Sequence, residues 1–330
     1  MELNIGKLKI NGFVALAPMA GVADRAFREL CRCHGAAVTF GELASAKGIV
    51  LGDPHSENYL KGYQKEMPFG PQLFGSEPEI MAKAAIKALE YNPKFIDINM
   101  GCPAPKIAIS SKGGSALLKD PLLAGEIVKA VKSVIGDTPL TVKMRTGWDE
   151  NEIIAPRLAE ICELNGADAI TVHGRTKKQM YAPPCDLETI KNVKKSVSIP
   201  VIANGDIVDG PTASNMYEKT GCDFIMVGRA AEGNPWVFEK INAYLENGEI
   251  LPDVSLDTRL ETLIKQTKLM IEYKGECTAF LECRKHAAWY LKGFRGAAAL
   301  RTECGKITSM KGLIDLCEMA KKLNSENKIW

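Results

Sequence analysis

A thiol, a lysine and two glycine-containing turns stand where one reaction could use them together. Cys102 lies in Asn99-Met100-Gly101-Cys102-Pro103, just past an apolar run, with a second proline at Pro105. A free thiol titrates near about 8.5, so at neutral pH it holds its proton and can donate it. Lys143 sits inside another apolar run, where burial without a partner is costly. Either it snorkels to the end of its element, or it supplies a fixed positive charge beside a developing negative one. A reduced flavin carries such a negative charge, and the amides of Gln72 and Asn99 match the uracil-like edge of its ring. Asn204-Gly205-Asp206 and Gly228-Arg229 end two further runs. Glycine lets backbone N–H groups approach an anion, and Arg229 can add a bidentate contact. Each glycine alone reads as a turn former; as a pair they read as a phosphate site. His173 ends a run of its own, as a core histidine or as a neighbour of the ring or phosphate.

These residues need elements to gather them. Short apolar runs recur at 14–19, 38–43, 71–74, 95–99, 140–145, 169–173, 200–204 and 224–227. Most are continuous rather than alternating, as strands covered on both faces should be. Helical patterns lie between them at 24–33, 78–91, 121–135, 153–165 and 187–196, with Pro78 and Pro121 placed to open helices. Eight strands alternating with helices predict a TIM (β/α)8 barrel over residues 1–242. A doubly wound sheet is disfavoured because the first strand is followed by Ala17-Pro18-Met19-Ala20-Gly21 and no G-x-G-x-x-G fingerprint occurs. In a barrel the reactive groups collect at the C-terminal ends of the strands, and seven of the eight runs carry a polar, glycine-rich or reactive group there. Residues 243–330 change character. Helical patterns at 257–274, 279–294 and 313–324 predict a C-terminal all-helical domain.

Of the 330 residues, 46% are hydrophobic and 25% charged, which excludes disorder, collagen and coiled coil. Apolar runs are strand-length, far short of a membrane span, and the N-terminus lacks a signal-peptide pattern. A cytoplasmic protein, without a membrane and acting as a monomer, is expected. The 10 cysteines include no Cys-x-x-Cys, so free thiols rather than a metal site are expected. The net charge of +2 is uneven. From Arg284 to Lys311 there are seven basic residues and one acid, Glu303, with Trp289, Tyr290 and Phe294 among them. This is a solvated helix face or a surface that meets a nucleic-acid backbone.

Taken in order, the segments Ala17-Pro18-Met19-Ala20-Gly21, Gln72-Leu73-Phe74-Gly75, Asp97-Ile98-Asn99-Met100-Gly101-Cys102-Pro103, Lys143-Met144-Arg145-Thr146-Gly147-Trp148, His173-Gly174-Arg175-Thr176, Asn204-Gly205-Asp206 and Gly228-Arg229 resemble the tRNA-dihydrouridine synthases, closest to the bacterial B type. The resemblance covers roughly residues 10–240. It implies an FMN-dependent oxidoreductase that uses NADPH or NADH to reduce uridines of tRNA to 5,6-dihydrouridine. It places Pro18, Met19, Ala20, Gln72, Lys143, His173, Asn204, Gly205, Asp206, Gly228 and Arg229 on FMN. It makes Cys102 the proton donor to C5, opposite a hydride arriving at C6, and sets Asn99 beside the reacting base. The helical tail is similar to that family's RNA-binding domain. Arg145, Arg175, Arg284, Lys285 and Arg295 are the expected RNA contacts. The segment 106–114 departs from the expected pattern, being less basic. A small-molecule flavin reductase and a synthase acting on ribosomal RNA are the competing readings.

Overall fold

The computed structural model describes residues 1–294 and 296–325. An antiparallel hairpin comes first, β1 (Glu2–Ile5) with β2 (Leu8–Asn11). Eight parallel strands follow: β3 (Val14–Leu16), β4 (Val38–Ser45), β5 (Phe69–Phe74), β6 (Ile96–Met100), β7 (Leu140–Arg145), β8 (Ala169–His173), β9 (Val201–Asn204) and β10 (Phe224–Val227). They close into a barrel in chain order, with β10 paired back to β3. The helices between them are α1 (Arg25–Cys33), α2 (Ala46–Val50), α3 (Pro54–Asn58), α4 (Pro78–Leu89), α5 (Pro121–Ile135), α6 (Ala155–Leu164), α7 (Leu187–Ser196) and α8 (Gly210–Thr220), with α9 (Val237–Asn247) after the last strand. Their starts follow local chemistry. Asp24, Asp120, Asp186 and Asp209 accept a backbone N–H from the first turn of α1, α5, α7 and α8, and proline opens α3, α4, α5, α6 and α8.

Two apolar layers hold the barrel. The outer one packs Val14, Ile98, Val142 and Val172 of the strands against the helices. The inner one joins Phe40, Phe95, Ile202 and Phe224 to Leu3, Ile5 and Ile10, so the hairpin caps the end of the barrel opposite the reactive groups. That hairpin is absent from the sequence reading. Its alternating burial is too short to stand out, and it is stable only because the barrel floor covers it.

The second unit consists of α10 (Leu256–Lys274), α11 (Glu276–Tyr290), α12 (Ala297–Cys304) and α13 (Met310–Ser325), around Leu260, Leu263, Cys283, Leu300, Leu313 and Leu316. The expected boundary at residue 242 falls inside α9 and is corrected. Val237, Phe238 and Ile241 bury α9 in the barrel layer, and the chain leaves the barrel after Gly248. The two units share real contacts. Lys274 Nζ reaches Asp24 at 2.6 Å, and the Arg25 guanidinium lies 3.5 Å from the ring centres of both Tyr63 and Tyr273. At Gly233 (φ +63°) a side chain would run into the backbone of Trp289 and Tyr290. Gly233→Ala is therefore expected to lower stability by roughly 2–4 kcal/mol, from overpacking plus left-handed backbone strain. A urea melt checks this, and an unchanged midpoint would contradict the close approach. Among the described residues no helix is long and apolar enough to cross a membrane.

Candidate active site

The C-terminal mouth of the barrel holds a cleft of about 670 Å³. Its floor is a chain of hydrogen bonds running from strand to strand. Thr141 Oγ1 donates to Asp97 Oδ1, and Gln72 Nε2 donates to Asp97 Oδ2 at 2.6 Å. Asn99 Nδ2 donates to Gln72 Oε1 at 2.8 Å, and Asn99 Oδ1 accepts the backbone N–H groups of Gly101 (3.1 Å) and Cys102 (2.9 Å). Adjacent registers create this order, because Gln72 pairs with Asp97 and Asp97 with Thr141 across β5, β6 and β7. The Asn99 amide thus fixes the turn that carries Cys102. The turn is also held from above. Ser115 N donates to Cys102 O at 3.1 Å, and Gly114 (φ +56°) lies so close that a side chain there would meet Cys102 O and Ile107. The thiol is half-buried at the cleft wall, and burial pushes its pKa up, so it stays protonated at neutral pH.

Lys143 rises from β7 into the cleft, and its Nζ donates to Asn204 Oδ1 at 3.1 Å. Burial, with the Arg145 charge beside it, pulls it down to about 8, so it is an ammonium at pH 7 held against its own desolvation. Burial lowers His173 to about 2, leaving a neutral imidazole whose Nδ1 has no acceptor or donor partner among the described residues. At the far end, Asn204 Nδ2 donates to Met226 O at 2.8 Å, and Asp206 Oδ2 takes Arg175 Nη2 (2.5 Å) and Cys185 N (2.8 Å). The side chains of this turn are therefore spent on the scaffold. Its backbone is not: among the described residues the N–H groups of Gly205, Asp206, Gly228 and Arg229 find no acceptor. Four orphaned donors, with the half-exposed Arg229 guanidinium, make an anion cradle after the last two strands.

The dihydrouridine synthase family model matches residues 15–326. The chain belongs to the dihydrouridine synthase family. It is 39% identical over 299 residues to tRNA-dihydrouridine synthase B of Vibrio vulnificus, covering 91% of this chain and 92% of that protein. It is 38% identical over 305 residues to tRNA-dihydrouridine synthase B of Pseudomonas aeruginosa, covering 92% and 91%. Solved structures share the barrel. An old yellow enzyme homologue from Zymomonas mobilis has a TM-score of 0.53 at 14% identity, over 77% of this chain and 94% of that one. A 2-naphthoyl-CoA reductase complex has a TM-score of 0.55 at 12% identity, over 73% and 51%.

This synthase-family cleft gathers Pro18, Met19, Ala20, Gln72, Asn99, Cys102, Lys143, His173, Asn204, Gly205, Asp206, Gly228 and Arg229 on one lining. The arginines expected on RNA behave differently. Arg175 is 3% exposed and bound to Asp206 Oδ2 and Pro183 O, so it is a scaffold residue and not a surface contact. Arg145 lines the cleft but is 6% exposed. Its guanidinium donates to Gly101 O, Thr176 O and Met180 O, bracing the Cys102 turn on the β8 loop. Arg175 is thus buried away from any RNA surface, with its Nη1 left without a partner among the described residues, whereas Arg145 keeps a place on the cleft lining. Arg284 is half-buried with Nε on Ile307 O at 3.0 Å, and Lys285 reaches from α11 to the Gly21 turn of the barrel. Arg295 lies outside the described residues. Among the lining residues that the sequence reading did not single out are two charged ones, Glu232 and Lys292. Lys292 follows α11 and enters the cleft only because the helical unit docks there, a tertiary fact with no local signal.

Proposed function

We propose that this chain reduces specific uridines of tRNA to 5,6-dihydrouridine, with FMN in the barrel mouth and a reduced nicotinamide as the source of electrons. The observation that carries the reading is the protonated thiol of Cys102, held by Asn99 on the same cleft as Lys143 and the anion cradle. The residues fit a flavin mononucleotide. Orphaned backbone N–H groups at Gly205, Asp206, Gly228 and Arg229 suit its phosphate, and the unpartnered His173 Nδ1 and buried Lys143 ammonium suit polar atoms of its ring end. When bound, the flavin supplies the hydride for the pyrimidine. Lys143 keeps a positive charge beside the ring, and Asn99 holds the Cys102 turn in place. Cys102 gives its proton to C5 of the base and is restored from solvent. The base reaches this depth only when turned out of the RNA stack, at a cost of about a few kcal/mol that an unpaired loop reduces. Lys292 and Arg229 put positive charge on the cleft wall where an RNA backbone would approach.

The test uses deuterium oxide. With protiated NADPH, dihydrouridine made from unmodified tRNA should carry solvent deuterium at C5, delivered through the exchanging thiol. Deuterium absent from C5 would overturn Cys102 as the proton source.

A further inference from the structure

We propose that Asp97 is a positioning residue, setting the direction of the amide chain that holds Cys102. Asp97 is fully buried inside the barrel and is not itself one of the residues that line the cleft. Its two oxygens accept from Thr141 Oγ1 and from Gln72 Nε2. An amide side chain can point either way, offering its carbonyl or its NH2. Gln72 and Asn99 form two such amides in series, so the chain has two possible polarities. One end is fixed by the N–H groups of Gly101 and Cys102, which can only donate and so demand the carbonyl of Asn99. That turns Asn99 Nδ2 toward Gln72, which must answer with Oε1 and therefore send its NH2 the other way. Gln72 Nε2 then needs a buried acceptor, and Asp97 is the one present, at 2.6 Å. An apolar group at 97 would leave that NH2 orphaned in the barrel core. Gln72 would then lose its anchor and could reach another partner only by leaving its place, which takes Oε1 away from Asn99 Nδ2 and loosens the Cys102 turn.

The test compares Asp97→Asn with Asp97→Leu. Asparagine keeps the polarity, because its Oδ1 can accept from Gln72 while its Nδ2 donates to the Thr141 hydroxyl. The full-length protein is treated with iodoacetamide in a background where the exposed Cys33 and Cys277 are serine, and alkylation of Cys102 is followed by peptide mass spectrometry. Leucine is expected to raise the Cys102 rate by about tenfold, the equivalent of one lost hydrogen bond, and asparagine to leave it within about threefold. In tRNA turnover the leucine variant should lose kcat more than it raises KM. Gln72→Met cuts the chain one link later and should raise Cys102 alkylation to the same degree, so the idea stays testable if Asp97→Leu fails to fold. An unchanged Cys102 rate in a folded Asp97→Leu protein, or in Gln72→Met, overturns the proposal. So does an asparagine variant as reactive as the leucine one, since charge and not polarity would then be the cause. Only the turnover readout rests on Cys102 as proton donor. If Cys102→Ala kept full turnover, that reading would fail while the alkylation result would still decide for or against Asp97.

Discussion

Cys102→Ala should bind its flavin and accept electrons from NADPH as the native protein does, while forming dihydrouridine at least about a hundredfold more slowly, the lower end of what a positioned general acid contributes. The asymmetry follows from where the thiol sits. Its backbone N–H is held by Asn99 and its carbonyl by Ser115, contacts that alanine preserves, so the turn and the anion cradle survive the substitution. What is lost is one proton on a half-buried sulfur whose pKa burial has raised. The check is a pair of single-turnover measurements, flavin bleaching by NADPH and its recovery on adding tRNA. Native bleaching with slow recovery is expected; native recovery would remove Cys102 from the chemistry.

The second large effect concerns Lys143, where stability and activity should move in opposite directions. Its pKa in the folded chain is about 8, below the ordinary lysine value, chiefly through burial. Between about 8 and 10.5 the unfolded chain binds more protons than the folded one, so stability rises with pH across that window. Below pH 8 the buried ammonium is a standing cost. Lys143→Met should therefore not lower the melting midpoint of the flavin-free protein at pH 7. The same variant should lose roughly 10²–10³ in kcat, as when a preorganised charge is removed from a site. In the native enzyme, reduction should fall as pH rises through about 8, when Lys143 becomes neutral. A Lys143→Met protein that melts early and turns over normally would contradict both halves.

Much of this architecture is legible in the sequence, for a physical reason. Barrel strands covered on both faces must be apolar along their length, so β3 to β10 stand out as short continuous runs, and the barrel rule then says which end carries chemistry. The cleft residues followed, because each lies at such an end. What could not be read depends on tertiary contact. Arg175 looks like any loop arginine until Asp206 and Pro183 surround it. Gln72 and Asn99 suggested contact with a ring, yet in the fold their amides are committed to Asp97, to each other and to the Cys102 turn. Asp206 suggested a phosphate ligand, and its carboxylate is a scaffold anchor whose backbone alone faces the anion cradle. The boundary inside α9 was missed because a helix that docks on a barrel does not differ in composition from one that leaves it.

The most direct measurement incubates the purified chain with NADPH and unmodified tRNA and digests the RNA to nucleosides for mass spectrometry. The expected result is uridine heavier by two hydrogens at defined positions, dependent on Cys102 and on the reductant. NADPH consumed by a flavin-loaded protein with every uridine left intact would contradict it, and would point instead to a small acceptor in the same cleft.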